Sequence, residues 1–176
     1  MGTIHLPEPV KFFAAITFAP LVDFEKLLDR LQSLLGAIDV RSPAIDFSFT
    51  RYYEKEMGPD LRKQWVGFEK LRDPAELAEI KTQTNQIESE FSESGRRPVN
   101  LDPGYIEKAK MVLASTKNFS HRIYLERGIY ADLQYRFRRG AFTFLEWTYP
   151  DYQSETAVRF FEQLRRKYVK QVEEKI

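Results

Sequence analysis

Two short polar stretches hold the side chains best suited to chemistry in this chain, Asn100–Gly104 and Thr116–Arg122. The second supplies Lys117, His121 and Arg122 in quick succession. With Arg96 and Arg97 nearby in sequence, these groups suit a phosphate or carboxylate held by charge-assisted hydrogen bonds. Adjacent strand residues point to opposite faces, so His121 and Arg122 can share one ligand only if a bend intervenes. The structural alternative is a histidine satisfied by backbone and cations solvated at a sheet edge.

Asn100 and Asp102 frame a tight turn ahead of an expected helix. A helix N-terminus offers free N–H groups to an anion, but a capping Asp102 uses one and repels a second negative charge. Asp102 is therefore read first as a cap and only then as a catalytic acid or base. Tyr130, Asp132, Asp151 and Tyr152 fall near strand and loop ends, where they would line a polar pocket or simply decorate the surface. The ligand-binding candidates are thus Lys117, His121, Arg122, Asn100, Asp102 and Tyr130. Any catalysis would fall to His121, Asp102 or Asp151.

Metal chemistry finds little support. Thr50, Tyr52, Glu54 and Glu56 would share a face if a strand ran that far, and paired carboxylates can hold a divalent cation. Arg51 and Lys55 interleave with them, however, which favours solvated charge. His5 stands in a Pro-flanked tail, too remote in sequence to pair with His121 by design. There is no cysteine, which removes disulfides, thiolate nucleophiles and zinc–thiolate sites. No phosphate loop, G-x-G-x-x-G, H-E-x-x-H or G-x-S-x-G motif occurs. No cofactor is expected.

The elements that must position these residues read as one α+β domain over 1–176, with 1–9 as an N-terminal tail. Val10–Ala19 is an almost unbroken run of β-formers, a strand buried on both faces. Leu21–Gly36 carries leucines at helical spacing and ends on glycine. Ala44–Thr50 alternates as a strand, and Gln64–Leu71 reads as another. Asp73-Pro74-Ala75-Glu76 opens a second helix with capping-box chemistry. The order β-α-β-β-α is the start of a ferredoxin-like sandwich. A fourth strand is expected at Arg96–Leu101, limited by Pro98 to an edge or linker. Asp102-Pro103 repeats the helix-start chemistry, and Tyr105, Ala109, Val112 and Leu113 fit one helical face. The spacing predicts a helix over 103–115. Three strands of an antiparallel meander follow around Gly128 and Arg138-Arg139-Gly140, then a C-terminal helix capped by Ser154.

The composition is that of a globular protein, with 43% hydrophobic, 30% charged and 14% aromatic residues, so rings should supply much of the core. Net charge is only +1, which disfavours nucleic-acid binding by bulk electrostatics. Gly95–Gly140 nevertheless holds ten Lys/Arg against four Asp/Glu, a local excess of +6 offset by −5 elsewhere. No apolar run approaches a membrane span, and a soluble cytoplasmic protein is expected.

"FSFTRYYEKEMG", "RPVNLDPGYI", "VLASTKNFSHRIYL", "GIYADL" and "TYPDY", in that order, resemble an uncharacterised bacterial family of domains of unknown function (DUF4416-like). Some members carry a GTP-binding label, although "STKN" is not the guanine-reading Asn-Lys-x-Asp. The resemblance implies kinship over nearly the whole chain without implying a mechanism. Matching positions are Thr50, Tyr52, Tyr53, Glu56, Asn100, Asp102, Gly104, Thr116, Lys117, His121, Arg122, Gly128, Tyr130, Tyr149, Pro150 and Asp151.

The leading expectation is a domain that binds an anionic small molecule, a phosphate-bearing metabolite or nucleotide, around Lys117, His121 and Arg122. One alternative is an adaptor that binds protein through its sheet or aromatic surface. Another is RNA binding by aromatics interleaved with Arg136, Arg138 and Arg139. Oligomeric state is left open.

Overall fold

The computed structural model describes residues 2–93 and 95–174. Its centre is β1 (Val10–Phe18), in which every residue is buried. Phe12, Ala14, Ile16 and Phe18 point into one core, while Phe13 and Ala15 point into another. Period-two alternation in a strand covered on both sides produces this division. Helices α1 (Phe24–Leu35) and α3 (Leu77–Glu90) cover the first face, and α4 (Glu155–Glu173) covers the second.

Among the described residues nine strands, all antiparallel to their neighbours, form one sheet. The remaining strands are β2 (Ile38–Arg41), β3 (Ile45–Asp46), β4 (Arg62–Arg72), β5 (Val99–Ile106), β6 (Lys110–Ser115), β7 (Arg122–Glu126), β8 (Ile129–Arg138) and β9 (Ala141–Phe144). Their order is β2-β4-β1-β5-β6-β8-β7, with β3 also on β4 and β9 also on β8.

Helix ends follow local chemistry. Asp73 and Glu76 form the capping box that the sequence predicts, with Ala75 N donating to Asp73 Oδ1 at 2.8 Å and Asp73 N to Glu76 Oε1 at 3.1 Å. Ser154 caps α4 through Ala157 N. The α4 stripe of Phe160, Phe161, Leu164 and Tyr168 is buried against Phe13, Trp65, Met111 and Tyr135. Burial of each large apolar side chain contributes about 1.5–3 kcal/mol before entropy is counted, so this aromatic stripe seats the helix.

The structure corrects several expectations. Residues 103–115 are not a helix; they complete β5, turn, and form β6. Met111 and Leu113 enter the α4 core while Val112 and Ala114 enter the opposite one. A strand buried on both faces is apolar throughout, and that run imitates helical spacing. The fourth strand is not an edge: β5 lies between β1 and β6. The Ala44–Thr50 strand shrinks to Ile45–Asp46, and Glu54–Met57 is a short helix, α2, so Glu54 and Glu56 share no strand face. The first-half pairing falls instead to Ile38–Arg41, too short to show a pattern. Strands β7, β8 and β9 and the final helix stand where the sequence places them, but β6 takes one edge of β8 while β7 and β9 share the other, so the three strands do not form the expected side-by-side meander.

A candidate ligand cleft between two splayed strands

Pro103 opens the site. Strands β5 and β6 pair only over Gly104–Ile106 with Met111–Leu113. The next residue along β5 has no N–H to donate, and the ladder stops. Leu101, two residues earlier and on the same edge, has lost its strand partner as well. Helix α3 replaces it: Leu101 N donates to Glu88 Oε1 at 2.6 Å, and Lys81 Nζ donates to Leu101 O at 2.6 Å. Both side chains are buried, as satisfied backbone polar groups in a dry wall require.

The parting strands enclose a cavity of about 610 Å³. Three of its lining residues, Lys63, Asn100 and Asp102, belong to cross-strand rows of the sheet. Lys63, Thr17 and Asn100 lie opposite one another on β4, β1 and β5, and Trp65, Ala15 and Asp102 form the next row. Phe47, Phe49, Tyr52 and Tyr53 close one side, and Tyr149, Pro150, Asp151 and Tyr152 another. Ser115, Thr116 and Lys117 continue from the end of β6.

Most charge in this wall is internally neutralised. Lys63 is buried against Asp151, and its ammonium stands 4.9 Å from the centre of the Tyr152 ring and 5.2 Å from that of Phe47. Arg97 reaches Glu56 at 2.7 Å and also contacts Glu88. Burial pushes the Glu88 carboxyl up, against the pull of Lys81 and Arg97. Burial also raises Tyr53 and Tyr152, with the negative charge of Asp102 next in effect. Burial likewise raises Tyr149, against the nearby Arg122. These phenols stay neutral at ordinary pH.

Two charged groups differ from the rest. Lys117 is exposed at the rim; its Nζ donates to Tyr52 Oη at 2.8 Å and lies 4.3 Å from that ring's centre. Among the described residues it has no carboxylate partner. Asp102 is 28% exposed, accepts from Asn100 Nδ2 at 2.7 Å, and faces Lys81 only at 3.5 Å.

The sequence candidates divide accordingly. Lys117, Asn100, Asp102 and Asp151 all line the cavity; His121, Arg122 and Tyr130 do not. A turn at His121 supplies the bend that opposite strand faces would otherwise forbid. His121 and Arg122 then converge on Asp132, at 3.6 Å and 2.8 Å respectively. Asp132 is 1% exposed and also accepts from Gln134 Nε2, so the three form a buried support. Arg122 further donates to Ser115 Oγ at 2.8 Å and Lys117 O at 2.9 Å, which ties down the Lys117 loop. His121 stacks on Trp147, with ring centres 4.7 Å apart. Tyr130 packs on Tyr124 across the β7–β8 hairpin. Arg96 pairs through its backbone with Glu93. Asp102 is no helix cap, since it lies within β5.

Sequence reasoning missed Lys63, Lys81 and Glu88, and had Tyr53 and Tyr149 only as positions matching the family pattern. Lys81 and Glu88 carried a usable signal: they stand seven residues apart, on the helical face that holds Leu77, Thr84 and Ile87. A charge in an apolar stripe asks for a buried partner. Among the described residues, no three His, Asp or Glu side chains gather to hold a metal ion. No described helix is long and apolar enough to cross a membrane.

The family model of a domain of unknown function, DUF4416, matches residues 8–168. The chain belongs to that family. No curated protein and no solved structure matches it. The DUF4416 match spans β1 through most of α4, and therefore every residue of the cleft.

Proposed function

We propose that this DUF4416 domain binds an anionic small molecule, a phosphate-bearing metabolite or nucleotide, in the cleft between β5 and β6. Lys117 meets the anionic group. The cavity of about 610 Å³ carries the reading, because it falls in the size range of small-molecule sites and combines ring faces with a few convergent polar groups. Lys63, Lys81 and Arg97 are engaged by the protein itself, which leaves Lys117 as the cation available to a ligand. Arg122 acts as a positioning residue through Lys117 O. We assign no reaction. His121 lies outside the cavity lining and Asp151 is committed to Lys63.

The same reading takes the chain as one domain. Its β2-β4-β1-β5 half, with α1 and α3 on one face, supports a ferredoxin-like arrangement. We place it in the cytoplasm.

The test is a thermal-unfolding screen with inorganic phosphate, ribose phosphate, AMP and GMP. A ligand at a hundred times its Kd stabilises by about 2.7 kcal/mol, which for a chain of this size raises Tm by roughly 5–10 °C. The expected result is such a rise with at least one phosphorylated probe, lost in Lys117→Ala. No rise with any probe, or an undiminished rise in the variant, overturns the reading.

A further inference from the structure

Resting on that reading, we infer that the ligand also carries a hydrogen-bond-donating nitrogen, a primary ammonium or amino group, which docks on Asp102. The cleft would then take a zwitterionic or amino-bearing phosphate in preference to a plain one.

The wall carboxylates differ in how fully the protein satisfies them. Asp132 is 1% exposed and receives Arg122 and Gln134. Asp151 is 7% exposed and receives Lys63. Glu88 is 6% exposed and receives Arg97 and the Leu101 N–H. Asp102 is different: one oxygen accepts from Asn100, while the other has only Lys81 at 3.5 Å. That lysine is already committed to Leu101 O at 2.6 Å. An ionised carboxylate offers about four acceptor sites, so Asp102 keeps capacity that the protein does not fill.

Its surroundings favour a cationic or N–H-rich partner. Tyr53, Tyr149 and Tyr152 line the same cavity and feel the Asp102 charge. Ring faces attract cations and displace the water that would otherwise weaken an ion pair. One uncommitted cation at the rim and one uncommitted anion on β5 together define a complementary ligand with both signs.

Matched pairs test this by calorimetric titration: phosphoethanolamine against ethyl phosphate, and glucosamine phosphate against glucose phosphate. In the wild type the amino member should bind about tenfold or more tightly, the scale of a hydrogen bond to a charged group. Asp102→Asn, nearly isosteric, should erase that preference by weakening the amino member relative to its plain partner. Lys117→Ala should weaken both members alike. Equal affinities in the wild type, or a preference that survives in Asp102→Asn, overturn the inference and leave the anion reading standing. If neither member of either pair binds, the anion reading falls and takes the inference with it. The wild-type comparison is decisive even if the Asp102 variant fails to fold.

Discussion

Arg122 and Lys117 are five residues apart and of like charge, yet they have opposite duties. Arg122 is buried on Asp132, whereas Lys117 stands in solvent beside Tyr52. Removing one partner of a buried ion pair strands the other charge, at a cost of about 3–5 kcal/mol. Removing an exposed cation generally changes stability by less than about 0.5 kcal/mol. Urea unfolding should therefore show Arg122→Ala strongly destabilised and Lys117→Ala close to wild type. Equal losses would contradict this division of roles. The sequence shows both residues as cations near a strand start; it does not show that Asp132 on β8 comes opposite Arg122, because that depends on cross-strand register.

At the scale of elements, the cleft exists because β5 approaches β6 closely at one point and leaves it at the next. Gly104 marks the close point: a Cβ there would run into Val112 O, and into Phe13 Cζ at 2.6 Å. The first obstacle is backbone and the second a core ring, so neither yields cheaply. Gly104→Ala should cost about 1–3 kcal/mol by overpacking, read as a lowered denaturation midpoint. A neutral result would mean that the strands are less tightly joined than the pairing indicates. Reading these elements from sequence succeeded where a pattern was one-sided or strongly capped, as in α1, the Asp73 box and the individual strands β7, β8 and β9. It failed at 103–115, where a proline inside a strand resembles a helix start and burial on both faces erases alternation. Phe47 and Phe49 misled differently. Their spacing looks like a strand, but they gather into an aromatic cluster with Tyr53 at the rim.

Across the whole molecule, the aromatic core links stability to alkaline pH. Burial raises Tyr53, Tyr105, Tyr135, Tyr149 and Tyr152, and pushes Tyr168 up to about 12. Unfolded tyrosine titrates near about 10, so above that pH the folded chain holds protons that the unfolded chain releases. The stability these groups provide is complete below pH about 10 and is lost as pH rises through the folded values. Lys11, lowered by burial, acts in the opposite sense, but it is one group against six. Denaturant midpoints should thus fall above pH about 10, and most tyrosinate absorbance should appear together with unfolding. Tyrosinate formation by most of the nine tyrosines in a still-folded protein would contradict this.

The local excess of positive charge from Gly95 to Gly140 proves a poor guide to a site at this scale. Arg97 and Arg122 are consumed by the fold, and Arg136, Arg138 and Arg139 lie at the far end of β8 from Asp132. What the whole fold adds is a single cavity wall drawn from β4, β5, β6, α3 and the turn before α4. Amide chemical-shift mapping on titration with AMP and glucosamine phosphate tests its role most directly. The expected result is saturable shifts concentrated in the cavity-lining segments Phe47–Tyr53, Asn100–Gly104, Ala114–Lys117 and Tyr149–Tyr152. Shifts elsewhere with these segments unmoved, or no saturable shift with either probe, would contradict that role.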